Sequence, residues 1–279
     1  MPTLRLSFLG PPQVTLDSAP VSFDSRKALA LLAYLAAHPG PHTRAELALL
    51  LWPESDTTRA RGALRYTLHA VKRATGDDWL DVTRTHVALP EAAGLAVDLH
   101  AFRAAQAAAT DTATDMATDE TGPAARDRAA IDRLARAAAL YRDDFLAGFT
   151  LRDSANFDEW QFFQTEQWRQ RLIDVLTRLA RLHAARQEYG PAIAAAQRLA
   201  GLDPLREDVH RDLLEMLLAS GQRAAAHRLY AAYAARLEAE LGVAPGAAMQ
   251  ALLHAPGVHV SGDRASATDE TAQDDTALG

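Results

Sequence analysis

Leu4, Leu6 and Phe8 alternate with Arg5 and Ser7 until Gly10-Pro11-Pro12 breaks the run. Alternation resumes at Val14 and Leu16, turns at Asp17-Ser18-Ala19-Pro20, and returns at Val21 and Phe23. A period of two with turn residues between the runs predicts a small antiparallel sheet. The period then lengthens. Leu29, Leu31, Leu32 and Leu35 lie on the buried side of a helix expected from about Ser25 to Ala37, and His38-Pro39-Gly40-Pro41 ends it. Thr43 and Glu46 stand at capping-box spacing before Leu47, Leu50, Leu51 and Trp52, with Pro53 as the stop, so a second helix follows.

Glu54-Ser55-Asp56 leads into the third helix, expected over residues 57–75. Asp56 or Thr57 can cap its start, and Gly76 suits a left-handed residue just past its end. At about 100° per residue, Ala60, Leu64, Leu68, Val71 and Thr75 form one apolar stripe. Thr58, Gly62, Arg65, Tyr66, His69 and Arg73 turn away from it, with Lys72 and Arg61 on one shoulder and Arg59 on the other. Leu80-Asp81-Val82 and Val87-Ala88-Leu89 then read as a β-hairpin with its tip at Thr83-Arg84-Thr85-His86. Sheet, three helices and a hairpin predict a winged helix-turn-helix over residues 1–97.

Beyond residue 97 the pattern is helical almost throughout. Residues 110–123 are polar, acidic and aperiodic, and are expected to be a flexible insertion. Leu179, Leu182, Ala185 and Ala192 recur 34 positions later as Leu213, Met216, Ala219 and Ala226, the spacing of tetratricopeptide repeats. The fold class expected is therefore mainly α: a winged helix with small β-sheets, then an all-α tetratricopeptide-like domain over residues 98–258. Aromatic residues from Tyr141 to Trp168 are expected in its core, with a hydrophobic groove for a partner as the alternative. Residues 259–279 lack apolar pattern and are expected to form a disordered tail.

Charge sharpens the picture. The formal net charge is −7, yet residues 58–76 hold Arg59, Arg61, Arg65, Lys72 and Arg73 and no acid. Residues 1–97 carry a net +1 and the remainder −8, so the acid lies almost wholly outside the first third. Unrelieved positive charge along a helix is repulsive. Arginine, chosen over lysine here, can bind bases and phosphates bidentately. The helix is thus expected to enter the major groove of double-stranded DNA, with Arg65, Tyr66 and His69 toward base edges and Arg59, Arg61, Lys72, Arg73 and the wing residue Arg84 toward phosphates. Arg26 and Lys27 stand in the first turn of their helix, where the macrodipole disfavours cations. They read as a solvent-screened pair or as neighbours of a phosphate.

Other chemistry is missing. The absence of cysteine excludes disulfides, thiol catalysis and cysteine-ligated zinc. No GxxxxGK[ST], GxSxG or HExxH motif occurs, and His38 and His42 flank a Pro-Gly-Pro turn and read as loop residues rather than a metal site. No catalytic residues, cofactor or metal are expected. No signal-peptide core or membrane-length apolar run is present, and a cytoplasmic protein is expected.

The runs Arg26 to Leu35, Thr43 to Leu47, Leu51-Trp52-Pro53 and Ala60 to Arg65 together resemble the Streptomyces antibiotic regulatory protein family. Val97-Asp98-Leu99 and Leu241-Gly242-Val243-Ala244-Pro245 resemble the start and end of its second domain. Late in the third helix, Val71-Lys72-Arg73 stands where the family shows a Leu-Arg-Arg-like step. The resemblance implies a bacterial transcriptional activator with an OmpR/PhoB-like DNA-binding domain and a bacterial transcriptional activator domain. It further implies tandem direct repeats at promoters, contact with RNA polymerase, and a possible homodimer. A tetratricopeptide-type adaptor that does not bind DNA is the other reading these residues allow.

Overall fold

A computed structural model describes residues 2–114 and 122–254. The expected disordered tail and half of the expected insertion, residues 115–121, lie outside the described residues. The first strands are β1 (Leu4–Ser7), β2 (Gln13–Leu16) and β3 (Ala19–Pro20). Leu4 pairs with Leu16 and Leu6 with Val14 in the antiparallel register that the alternation requires. A fourth strand, β7 (Leu95–Val97), lies parallel to β1 on its other edge, giving the order β3-β2-β1-β7.

Helix α1 (Arg26–Ala37) is capped by Ser25, whose hydroxyl accepts from the Lys27 amide. Strand β4 (His42–Thr43) runs directly into α2 (Arg44–Leu51). Half of the expected capping box forms, because the Thr43 hydroxyl accepts from the Glu46 amide at 3.1 Å. The Glu46 carboxylate turns instead to Tyr34, whose hydroxyl donates to it at 3.0 Å. Burial, aided by that carboxylate, pushes the Tyr34 hydroxyl up to about 12.

After α3 (Thr57–Thr75), a single 3-10 turn leads to β5 (Asp81–Val82) and β6 (His86–Ala88). These pair with β4 in the order β4-β6-β5, so the expected hairpin gains a third strand from the start of α2.

The remainder is helical: α4 (Asp98–Thr114), α5 (Pro123–Leu140), α6 (Ala155–Ala185), α7 (Tyr189–Leu202), α8 (Glu207–Ala219), α9 (Arg223–Leu241) and α10 (Ala247–His254). α4 runs four residues past Thr110 into the segment read as an insertion. Neighbours in sequence pack as pairs, α6 on α7 and α8 on α9, and the 34-residue repetition is structural. The Glu188 amide donates to His183 O at 2.9 Å, and 34 residues on the Gln222 amide donates to Leu217 O at 2.8 Å. Gln187 and Gly221, also 34 apart, both take positive φ, 59° and 76°.

One continuous core runs through both halves. Phe8, Leu31 and Leu47 of the first belong to the same buried cluster as Phe102, Phe145, Phe157 and Trp168 of the second. Most of the aromatic run is therefore core, as expected. Phe162 and Phe163 stand outside it, exposed.

Candidate nucleic-acid interface

Helix α3 begins and ends where its sequence dictates. The Asp56 carboxylate accepts from the Thr58 and Arg59 amides at 3.0 Å each, satisfying two otherwise free donors of the first turn. Gly76 closes the helix at φ 100°, a conformation that strains any residue with a Cβ. Ala60, Leu64, Leu68, Val71 and Thr75 are all buried, together with Thr67, which completes the stripe.

With that stripe anchored, the opposite face is outward. Arg59, Arg61, Arg65, Tyr66, His69 and Arg73 are exposed and Lys72 is half-buried. Tyr66, 65% exposed, is among the few large aromatic side chains left in solvent. The wing tip holds Arg84 exposed. Its turn is tied by the Thr83 hydroxyl, which accepts from the His86 amide at 2.9 Å, and by the Thr83 amide donating to His86 O at 2.9 Å.

The cations divide into two groups. Arg59 pairs with Asp56 at 3.4 Å, Lys72 with Asp77 at 3.6 Å and Arg73 with Asp24 at 3.2 Å, all largely solvated pairs of the weak surface kind. Arg61, Arg65 and Arg84 have no carboxylate within ion-pair distance among the described residues. These three line one cleft of about 560 Å³ between α3, the wing and the start of α2. Arg44, the first residue of α2, lines it as well and was not among the residues singled out in the sequence. A signal was present, since a cation at a helix N-terminus opposes the macrodipole.

The same signal at Arg26 and Lys27 is answered inside the fold. Lys27 is buried, pairs with Asp153 at 2.8 Å and lies 4.9 Å from the Trp52 ring. Arg26 donates from Nε to Thr150 O at 3.1 Å and stacks over Phe149 at 4.5 Å. Both residues bind the loop before α6; Lys27 is buried rather than solvent-screened, whereas Arg26 remains exposed to solvent.

That loop and its helices brace the ends of α1 and α2. The last carbonyls of a helix lack intrahelical donors, and the second half of the chain supplies them. His100 Nε2 lies 2.9 Å from Ala36 O and Arg103 donates to Ala37 O at 2.8 Å, closing α1. Asn156 donates to Leu49 O at 3.2 Å and the Ser154 hydroxyl to Leu51 O, closing α2. The Asp98 carboxylate accepts from the Phe8 and Leu9 amides at 2.7 and 2.8 Å. Desolvation pushes its pKa up in spite of these bonds. Trp160 donates its indole N–H to His38 Nε2 at 2.8 Å. Burial first, then His42 and Arg103, hold the His38 pKa below its ordinary value. His38 thus meets the second half of the chain, while His42 lies against His38, Tyr34 and Glu46; no metal-binding cluster occurs among the described residues.

No helix among the described residues is long and apolar enough to cross a membrane.

Residues 97–255 match the family described as the bacterial transcriptional activator domain. The chain is 29% identical over 254 residues to the regulatory protein AfsR of Streptomyces coelicolor. That match covers 89% of this chain but 24% of AfsR, so the chain spans about a quarter of that relative's length. Among solved structures, it is similar to Mycobacterium tuberculosis EmbR in complex with a low-affinity phosphopeptide, with a TM-score of 0.66 and 23% identity. The superposition covers 91% of this chain and 65% of that one, and supports a winged helix followed by a helical domain.

Proposed function

From the premise that this chain belongs to the bacterial transcriptional activator domain family, we propose that it is a sequence-specific DNA-binding activator of the Streptomyces antibiotic regulatory type. The observation that carries the reading is the outward face of α3. Its apolar stripe is buried, its arginines and Tyr66 face solvent, and Arg61 and Arg65 have no ion-pair partner among the described residues. A helix in that state fits the major groove.

In this reading residues 1–97 are the DNA-binding domain and residues 98–258 the activator domain. Arg65, Tyr66 and His69 face base edges, while Arg61 and Arg84 take phosphates directly. Arg59, Lys72 and Arg73 exchange a surface carboxylate for a phosphate, a small cost because those pairs are solvated. Direct repeats at a promoter and contact with RNA polymerase follow from the family, as does a place in the cytoplasm.

The test is selection of bound sites from random duplexes with the full chain at about 150 mM salt, a condition that suppresses purely electrostatic binding. Enrichment of a repeated motif is expected. Recovery of unenriched sequence, or no binding at all, overturns the reading and favours a protein-binding adaptor.

A further inference from the structure

We propose that the cleft between α3, the wing and the start of α2 is a preformed seat for one phosphate group, with Arg44 as its floor. The proposal rests on the DNA-binding reading and identifies a contact within it.

Besides the base-facing Arg65, three arginines from three elements line this cleft: Arg44 from α2, Arg61 from α3 and Arg84 from the wing. None of the four has an ion-pair partner among the described residues, although Arg59, Lys72 and Arg73 of α3 have each found a carboxylate. Like charges around one cavity repel, and more strongly where water is displaced. Such an arrangement is stable against its own field once an anion lies among them.

A second observation points the same way. Arg44 Nε is shielded from solvent and donates to nothing. Buried donors in folded proteins nearly always have partners, and an orphan calls for a missing one. The backbone around it is otherwise accounted for, since the Arg44 amide donates to Thr85 O at 3.0 Å and the Glu46 amide to Thr43 Oγ1. Ala45 also lines the cleft, and its amide, a free donor of the first turn of α2, is available to an anion.

The wing is tied to this floor. Thr85 O accepts from Arg44 while β4 pairs with β6, so the distance between Arg44 and the Arg84 tip is fixed before any ligand arrives. The ligand class is a tetrahedral phosphate, because the forked donors of Arg44, Arg61 and Arg84 suit its oxygens. Its source is either a backbone phosphate of duplex DNA or free inorganic phosphate.

The experiment compares the full wild-type chain with Arg44→Gln and Arg84→Gln, and with Arg223→Gln as an exposed control remote from the cleft. DNA affinity is measured over a salt series on a selected site and on a scrambled duplex. Each cleft variant should weaken binding to both duplexes by the same factor and make the plot of log K against log salt shallower by about one. The control should leave the slope unchanged. Wild-type slope and affinity in Arg44→Gln would overturn the seat while leaving DNA binding intact.

The second arm titrates inorganic phosphate at constant ionic strength and reads the thermal midpoint without DNA. A rise in wild type that Arg44→Gln abolishes assigns the seat to free phosphate, even if no DNA is bound. An equal rise in both proteins, with no DNA binding, overturns it.

Discussion

If the second half of the chain closes the ends of α1 and α2, then residues 1–97 alone should lose most of their stability. Truncation after Val97 removes, among other contacts, eight hydrogen bonds to backbone groups of residues 1–97. The Phe8 and Leu9 amides lose Asp98, and the carbonyls of the same two residues lose the Leu146 and Arg142 amides. The carbonyls of Ala36, Ala37, Leu49 and Leu51 lose His100, Arg103, Asn156 and Ser154. Water replaces the partners, so each bond is worth its net value of about 0.5–1.5 kcal/mol. Bonds within one segment do not add fully, which places the loss near the lower end of the sum, about 4–6 kcal/mol. A domain of this size has about 5–15 kcal/mol in all. Newly exposed core surface deepens the deficit.

Urea unfolding read by tryptophan fluorescence is suited to the question, because Trp52 and Trp79 both lie in the fragment. With a slope of about 1 kcal/mol per molar, the fragment should be partly unfolded without denaturant. Cooperative unfolding of the fragment within about 1 M of the midpoint for the intact chain would refute the reasoning. Two single changes bracket it: Ser154→Ala and Asn156→Ala should each cost about 1 kcal/mol in the intact chain.

Three further outcomes are expected. On DNA, Arg65→Ala should reduce discrimination between matched and scrambled sites by about 1–3 kcal/mol. Arg61→Ala should weaken both equally, and Lys72→Ala should do so less because Asp77 already half-neutralises it; a larger effect for Lys72 would contradict the division of cations. Stability should decline as pH falls below about 6.5, the ordinary value for histidine. The folded pKa of His38 lies below that of the unfolded chain, so the unfolded state takes up the proton first and gains from acid. His38→Gln should flatten that decline in urea midpoints between pH 7.5 and 5.5, and an unchanged decline would absolve the ring. Gln187→Gly should raise stability by about 0.5–1 kcal/mol in a thermal melt, since Gln187 holds the left-handed turn that Gly221 holds one repeat later. A lower midpoint would show that its side chain contributes more than its backbone strain costs.

What could be read from the sequence, and what could not, divides by the range of the forces involved. The ends of α3 were legible because Asp56 and Gly76 act within four residues of themselves, and its stripe because helical period alone decides which side chains share a face. The wing was legible for the same reason, as was the 34-residue repetition, whose matched positions fall at matched turns. β7 was not, because three residues acquire strand geometry only from pairing with β1 some ninety positions away. Nor was the choice of Glu46, whose carboxylate could reach back to its own helix or across to Tyr34. Tertiary packing selected the latter.

The cations show the limit most directly. Arg26, Lys27 and Arg44 all stand at helix starts against the dipole, and the sequence gives one physical signal for the three. In the folded chain Lys27 meets Asp153, Arg26 meets a carbonyl and an aromatic face, and the Arg44 side chain leaves its Nε without a partner among the described residues. A misplaced charge therefore reports only that a partner is required. Where the fold supplies the partner, the residue ties the two halves of the chain together; where it does not, the requirement is open to a ligand. That distinction makes Arg44, rather than Arg26 or Lys27, the residue on which a phosphate titration of the proposed seat should turn.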